Sequence, residues 1–262
     1  MCHIYRPIRK LVISFAAVAY SAINMAQAQT DTPSGAFLPT FRGEDCDAIA
    51  TALRDGETKK DEFENTSSYE KCLQNILSSK TASGRPLSEP KFFVNSDRTS
   101  AIYDADKGSM KVYGSLRQST KVSESIRYAS TVIVNTRSTH ASQYQGQNSF
   151  GASATIKKYR DDICSVAFLN VSPVTDHEWM GVIEFPLTPE IARQSKGNIT
   201  LVYQARLAPP LLVDYRQYIA PTTSSPSDIL VQGDALTAVL ERYFVINKAT
   251  GEVLFERLYT PK

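Results

Sequence analysis

Residues 242–255 read Arg242-Tyr243-Phe244-Val245-Ile246-Asn247-Lys248-Ala249-Thr250-Gly251-Glu252-Val253-Leu254-Phe255. Two runs of β-branched, aromatic and aliphatic residues flank a short polar loop, and Gly251 stands where such a loop needs a left-handed backbone. Runs of this composition joined by so short a loop form a β-hairpin. We therefore predict strands at 240–247 and 252–259, within a β-rich body.

Similar runs rich in Val, Ile, Tyr, Phe and Thr recur upstream, separated by clusters of Gly, Pro, Asn and Ser. One helix interrupts them, with Thr188 as its N-cap, Pro189 at its first position and Gly197 at its end. Many short strands without strand–helix alternation indicate a mainly β fold, an antiparallel β-sandwich or a partly open barrel. The further strands are predicted at 91–95, 100–104, 109–116, 127–136, 150–159, 163–171, 178–185, 199–207, 211–219 and 229–233.

Two short helices are predicted before this β body. The first carries an apolar stripe at helical spacing that includes Cys46 and ends at Gly56. The second begins with a capping box formed by Ser67 and Glu70, and Cys72 lies on its apolar face. Full stripes are Cys46, Ile49, Ala50 and Leu53 in the first helix, and Tyr69, Cys72, Leu73, Ile76 and Leu77 in the second.

The cysteines predict a disulfide between these two helices. If the stripes face each other, the sulfurs of Cys46 and Cys72 meet, and an oxidising compartment would join them. Closing that loop would contribute about 3 to 4 kcal/mol to stability. Cys164 lies on the more apolar face of a predicted strand, and we expect it to be a buried free thiol.

The first 28 residues have the pattern of a secretory signal peptide. Arg6, Arg9 and Lys10 precede a mostly apolar run, and Ala26-Gln27-Ala28 supplies a small-x-small cleavage pattern. The run is shorter than the roughly 20 residues of a spanning helix. We therefore predict cleavage after Ala28 and a bacterial, periplasmic or secreted protein. This divides the chain into a signal peptide at 1–28, a helical segment at 29–85 and a β domain at 86–262.

Charge and hydropathy narrow the range of partners. Removing the signal takes away three of the 29 basic residues and none of the 27 acidic ones, so the mature chain carries 26 − 27 = −1. Nucleic-acid binding depends on neutralising several phosphates, and this chain has no block of Lys and Arg for that purpose. We predict no nucleic-acid partner, and no transmembrane segment after signal cleavage.

Catalytic motifs are incomplete in this sequence. Gly151 begins a pattern resembling a nucleophile elbow, but Thr155 stands where the second glycine is required. His177-Glu178 begins like a zinc-protease helix, but Gly181 occupies the position of the second histidine. We therefore predict no metal, no cofactor and no catalytic residue.

A polar stretch at 140–150 is the best candidate for a binding surface. It lies between two predicted strands, and Tyr144, Gln147 and Asn148 offer an aromatic ring and directional hydrogen-bonding groups. The alternative is a long hairpin tip without a binding role. A second candidate surface consists of Tyr203, Tyr215 and Tyr218, for which core packing is the alternative.

Two function classes remain open. The first is an exported envelope (periplasmic) binding or interaction protein without catalytic activity of its own, whose partner is another envelope protein or a cell-envelope ligand. The alternative is a periplasmic hydrolase whose site is assembled from distant carboxylates or a lone thiol. The densest clusters of possible ligands are Asp176-His177-Glu178 and Asp161-Asp162, for which solvated turn residues are the alternative, and the lone thiol is Cys164.

Overall fold

The chain is mainly β in the computed structural model, which describes residues 36–39, 41–55, 62–78, 84–96, 99–114, 117–120, 129–147, 149–171 and 182–260. These ranges hold three helices and ten strands. In chain order they are α1 Cys46–Asp55, α2 Thr66–Ser78, β1 Lys91–Val94, β2 Ser100–Asp104, β3 Ser109–Tyr113, β4 Arg117–Thr120, β5 Ala129–Gln147, β6 Ser153–Phe168, β7 Val182–Pro186, α3 Pro189–Ser195, β8 Ile199–Ile219, β9 Ser227–Asn247 and β10 Val253–Leu258. The predicted signal peptide and its cleavage site lie outside the described residues.

The strands form a large mixed sheet and a small antiparallel sheet. The large sheet has the order β1-β8-β9-β6-β5-β4 with β10 beside β9, and the small sheet has the order β2-β3-β7. Within the described part of the chain the large sheet is open, so it is not a closed barrel. The predicted mainly β fold is confirmed.

The prediction of a purely antiparallel body is wrong at one junction. β6 and β9 run parallel, from the pair Lys157 and Ser227 to the pair Phe168 and Ala238. The reason is that β5–β6 and β8–β9 are two antiparallel hairpins lying side by side. Their inner strands are the second strand of each hairpin, and both return in the same direction.

Four strands are much longer than predicted. β8 continues through Pro209-Pro210 with a register shift, and β9 continues through Gly233. β6 continues through Asp161-Asp162, which pair with residues of β5 and β9 instead of forming a turn. Composition predicts a strand break at all three places. Pairing with neighbouring strands keeps Asp161-Asp162 and Gly233 within their strands, whereas Pro209-Pro210 stand at the register shift of β8, where Leu211 has φ +71°.

The hairpin at the end of the chain is confirmed. β9 and β10 pair as predicted, and the turn between them closes when the Gly251 N–H donates to the Asn247 carbonyl at 2.7 Å. Gly251 has φ +76°, the left-handed conformation that the sequence indicated. Its own carbonyl accepts a bond from the Phe37 N–H, so this turn also holds the start of the described chain.

One buried cluster contains side chains from both sheets and from α1 and α2. The stripe predicted for the first helix is buried as expected, and α1 packs against β5, β6, β8 and β9. The second helix does not begin with the predicted capping box, because Asn65 is the residue that caps it, accepting a bond from the Ser68 N–H at 2.9 Å. α3 has the predicted Thr188 cap, which accepts a bond from the Ile191 N–H.

The predicted Cys46–Cys72 disulfide is wrong, and Cys46 pairs with Cys164 instead. The stripe of α1 faces the large sheet instead of α2, so Cys46 meets the cysteine of β6, with 5.9 Å between the two Cα atoms. The strand and the apolar face predicted for Cys164 are correct, but the prediction that it is a free thiol is wrong. The bond fixes α1 to the centre of the large sheet.

Across the described ranges, every helix is too short or too polar to cross a membrane. This finding covers helices alone.

Candidate binding site on the distal arm

The outer halves of the four long strands form what we name the distal arm, defined as residues 136–147, 153–162, 214–219 and 227–232. Their order across the sheet is β5, β6, β9, β8. β5 shows the change from body to arm, because its first five residues are buried and residues 136–147 are mostly exposed. The arm is therefore a four-stranded, hydrogen-bonded part of the large sheet, and much of its surface is exposed to solvent.

Strand pleating gives the arm two distinct faces. The first, the disulfide face, carries the side chains that alternate with Cys164 along β6, namely Asp162, Arg160 and Lys158. The other face includes a small apolar cluster around Ile163 and Tyr215. Close to the body, the disulfide face of β6 therefore carries charged side chains and the opposite face is apolar.

Four side chains, one from each strand of the arm, meet on the disulfide face. We name this group the tyrosine cluster: Tyr144 of β5, Lys158 of β6, Asp228 of β9 and Tyr218 of β8. The Tyr144 hydroxyl donates to Asp228 Oδ2 at 3.4 Å, and Lys158 Nζ lies 5.1 Å from the centre of the Tyr144 ring. Desolvation and the charge of Asp228 both raise the pKa of the Tyr218 hydroxyl. A single carboxylate thus interacts with tyrosines from opposite sides of the arm.

The two tyrosines of the cluster are exposed although they are held in place. Tyr144 is 38% exposed and Tyr218 is 60% exposed. Desolvation within the cluster raises the pKa of both hydroxyls, and the charge of Asp228 and the hydrogen bonds to it raise each pKa further. The hydroxyls therefore stay neutral at physiological pH and act as hydrogen-bond donors.

The binding stretch predicted at 140–150 is mostly strand, not loop. β5 extends to Gln147, and the turn follows at 149–151. Gln147 donates its side-chain amide to the Gly151 carbonyl at 3.0 Å, so it closes the turn and is not part of the tyrosine cluster. Asn148 lies outside the described residues. Of the three predicted binding residues, Tyr144 alone is in the cluster.

The structure separates the three tyrosines of the second predicted surface into two buried residues and one exposed residue. Tyr203 and Tyr215 are each 3% exposed and belong to the core, as the alternative interpretation had it. Tyr218 is on the opposite face of β8 from Tyr215 and joins Tyr144. Lys158 and Asp228 were missed, because only the β6–β9 register brings them together.

Carboxylates between the cluster and α1 are engaged in ion pairs and hydrogen bonds. Asp162 accepts from Arg160 at 3.0 Å and from Gln232 at 3.3 Å. Asp234 pairs with Arg54 of α1. Asp162 is therefore engaged within the arm, and Asp234, just beyond the arm on β9, is engaged with α1.

The structure describes some of the residues named for the hydrolase alternative, namely Cys164 and Asp161-Asp162. The lone-thiol version is wrong, because Cys164 is in a disulfide. Asp176, His177 and Glu178 lie outside the described residues, and those that are described include no group of three metal-ligating side chains.

One buried cation was not anticipated from the sequence. Lys91 of β1 is fully buried, and its Nζ donates to the Pro86 carbonyl at 2.6 Å. Burial lowers the pKa of its amine, and the neighbouring charge of Arg85 adds to that effect, while Glu44 and Glu89 oppose it. The amine is thus costly to keep protonated in the folded chain.

Stability should therefore rise as the pH approaches 10.5, the ordinary pKa of lysine. Between the lowered pKa and 10.5 the unfolded chain binds the extra proton, so deprotonation favours folding. The free energy of unfolding, measured by urea titration up to about pH 10, should rise more steeply in the wild type than in Lys91→Met. Lys107→Met, at an exposed turn, should keep the wild-type slope. Equal slopes in all three proteins would contradict this assignment.

No protein-family model matches the chain, and no significant similarity to a curated protein or to a solved structure was found. The Cys46–Cys164 disulfide is consistent with an oxidising compartment, where such bonds persist. Function is therefore inferred from the arm and its residues.

Proposed function

We propose that this chain is an exported envelope (periplasmic) binding or interaction protein, and that the tyrosine cluster of the distal arm is its contact surface. The observation that carries the proposal is that two exposed tyrosines interact with one carboxylate, Tyr144 through a hydrogen bond to Asp228 and Tyr218 through the charge of Asp228. Tyrosine is enriched in interfaces because it offers a large apolar ring and a polar hydroxyl at a small cost in conformational entropy.

The geometry of the cluster suits recognition because its groups are already ordered. Tyr144 is held by Lys158 on its ring and by Asp228 at its hydroxyl. Side chains that are ordered before binding lose less entropy when a partner arrives. The surface offers aromatic rings, one cation and one carboxylate, which suits a partner that presents both apolar and polar groups.

Export is supported by the signal pattern at 1–28 and by the disulfide. The partner we propose is another envelope protein or a cell-envelope ligand. We further propose that the two sheets pack as a sandwich. Support comes from the stacked rings of Phe185 in β7 and Phe255 in β10, whose centres are 5.0 Å apart.

The test is the double variant Tyr144→Ala/Tyr218→Ala, compared with Tyr113→Ala as a control. Tyr113 lies on the small sheet and is 37% exposed, so Tyr113→Ala removes a partly exposed tyrosine ring outside the tyrosine cluster. After gentle crosslinking in native envelopes, the wild type and the control should retain the same partner, and the double variant should lose it. Unfolding free energies should agree within about 0.5 kcal/mol, as for other exposed substitutions. Undiminished capture by a folded double variant would refute the proposal.

A further inference from the structure

Among the described residues, the outer edge of β5 is open along most of its length. β4 pairs with β5 only near Ala129 and Thr131, and beyond these residues the strands of the described chain leave β6 as its one partner. The carbonyl of Ile133 accepts bonds from Ser96, and residues 135–147 follow it along the edge. An edge of this kind presents a row of N–H and C=O groups that another strand can pair with.

The two edges of the arm differ in how they are protected. Along the arm, the β8 edge carries charges at Asp214 and Arg216, and Pro209-Pro210, which lack N–H groups, precede the arm on the same strand. The last six residues of β5 read Ser-Gln-Tyr-Gln-Gly-Gln, without a charge or a proline. Natural edge strands are usually blunted by charges, prolines or bulges. β5 has bulges at Ile133/Asn135 and His140/Ser142, but none is found after Ser142.

We propose that a second copy of this chain pairs with residues 142–147 of β5 in an antiparallel, two-fold symmetric arrangement. This segment keeps an unbroken register with β6, from Ser142 opposite Lys158 to Gln147 opposite Ser153, so its outer edge is regular. It is uncharged, so bringing two copies together places no like charges opposite each other. A two-fold axis is the usual symmetry for such self-association.

A specific register fits the side chains. With the axis passing at Gln145, Tyr144 lies opposite Gly146 of the second copy, and Gln143 lies opposite Gln147 of the second copy. The Ile156 side chain already lies where a Cβ of Gly146 would be, so the facing Tyr144 ring would pack against Ile156. The Gln147 amide nitrogen donates to Gly151, which leaves its side-chain oxygen to accept a bond from the opposed Gln143. In this register the segment can therefore pair with itself through its backbone and through these two side-chain contacts.

The pairing uses the backbone edge and leaves the faces of the sheet free. A two-fold axis perpendicular to the sheet maps the disulfide face onto itself, so the tyrosine clusters of the two copies would be displayed on the same side. The dimer does not depend on the cluster binding a partner. It goes beyond the proposed function and can fail or succeed independently of it.

Sedimentation equilibrium on the mature chain tests this proposal. The wild type should give twice the monomer mass at high concentration and dissociate on dilution. Gln143→Lys/Gln145→Lys places like charges across the junction and should weaken dimerisation at least about tenfold. Thr223→Lys/Ser224→Lys adds the same charges to the exposed loop between β8 and β9 and should leave the dimer intact. A monomeric wild type at all concentrations, or an unaffected dimer in the β5 variant, would overturn the proposal.

Hydrogen exchange provides a second measurement on the unaltered chain, so the test does not depend on the variant folding. Amides within 142–147 that face outward should exchange more slowly as the protein concentration rises. Amides of the inner strand β6 should show no such dependence. Exchange in 142–147 that is independent of concentration, in a sample that sediments as a dimer, would place the interface elsewhere and overturn the assignment to β5.

Discussion

Replacing both Cys46 and Cys164 with alanine should lower the free energy of unfolding by about 4 to 5 kcal/mol. The disulfide joins residues 118 positions apart, and a loop of that length costs the unfolded chain much conformational entropy when it is closed. A loss of this size is a large part of the 5 to 15 kcal/mol that holds a typical domain together.

Urea unfolding followed by circular dichroism measures the effect. Double replacement removes both sulfurs, so no unpaired thiol is left at the site to complicate the comparison. A matched control is Ala50→Gly in α1, which perturbs the same helix without touching the bond and should cost about 1 kcal/mol from helix propensity, with a further cost from the lost buried methyl group. Peptide mapping of the wild type without reductant should yield the Cys46 and Cys164 peptides joined. A Cys46–Cys72 linked peptide would contradict the assignment.

Gly233→Ala should destabilise the fold by about 3 to 4 kcal/mol. Gly233 has φ +147°, which side chains rarely adopt, and a Cβ there would lie 2.9 Å from the Ile163 nitrogen and closer still to its carbonyl oxygen. Backbone atoms in the centre of a sheet have little freedom to move aside. The methyl group would force β6 and β9 apart where they run parallel.

A control separates the steric effect from the backbone effect. Gly197 also has a positive φ, but a Cβ there would have no atom within 4 Å. Gly197→Ala should therefore cost about 1 to 2 kcal/mol, from backbone conformation alone. Thermal unfolding of both variants provides the comparison. Equal losses would show that the approach of Ile163 to Gly233 does not matter for stability.

Features of the fold that depend on neighbouring residues in the chain could be predicted from the sequence. The β9–β10 hairpin, the buried stripe of α1 and the Thr188 cap of α3 each follow from residues within one turn or one helix. In each case the hydrogen bonds or packing that stabilise the feature are local.

Features that depend on distant partners could not be predicted in the same way. The α1 stripe showed that Cys46 is buried, but not which surface covers it. Gly233 and Asp161-Asp162 have the composition of strand breaks, and long-range pairing overrides that local preference, whereas Pro209-Pro210 lie at a register shift within β8. The parallel β6–β9 junction has no signature in either strand alone.

The candidate site likewise combines a residue that the local sequence indicates with residues that depend on distant partners. Tyr144 could be selected because the residues around it in the sequence are polar and lack the apolar periodicity of a core segment. The same pattern predicts a loop, whereas the structure has a strand there. Lys158 and Asp228 pair across the β6–β9 junction, 70 positions apart in the chain. A cluster assembled from four strands is visible only when the order and register of those strands are known.

The parallel junction also bears on how the chain folds. The β5–β6 and β8–β9 hairpins join residues that are close in sequence, so each can form early from local contacts. Docking β6 against β9 must wait until the segment between the hairpins has closed into a loop, and that closure costs entropy before any contact is gained. We therefore expect the two hairpins to form before they meet. The tyrosine cluster needs a strand from each side of that junction, so we expect it to be completed when the hairpins dock.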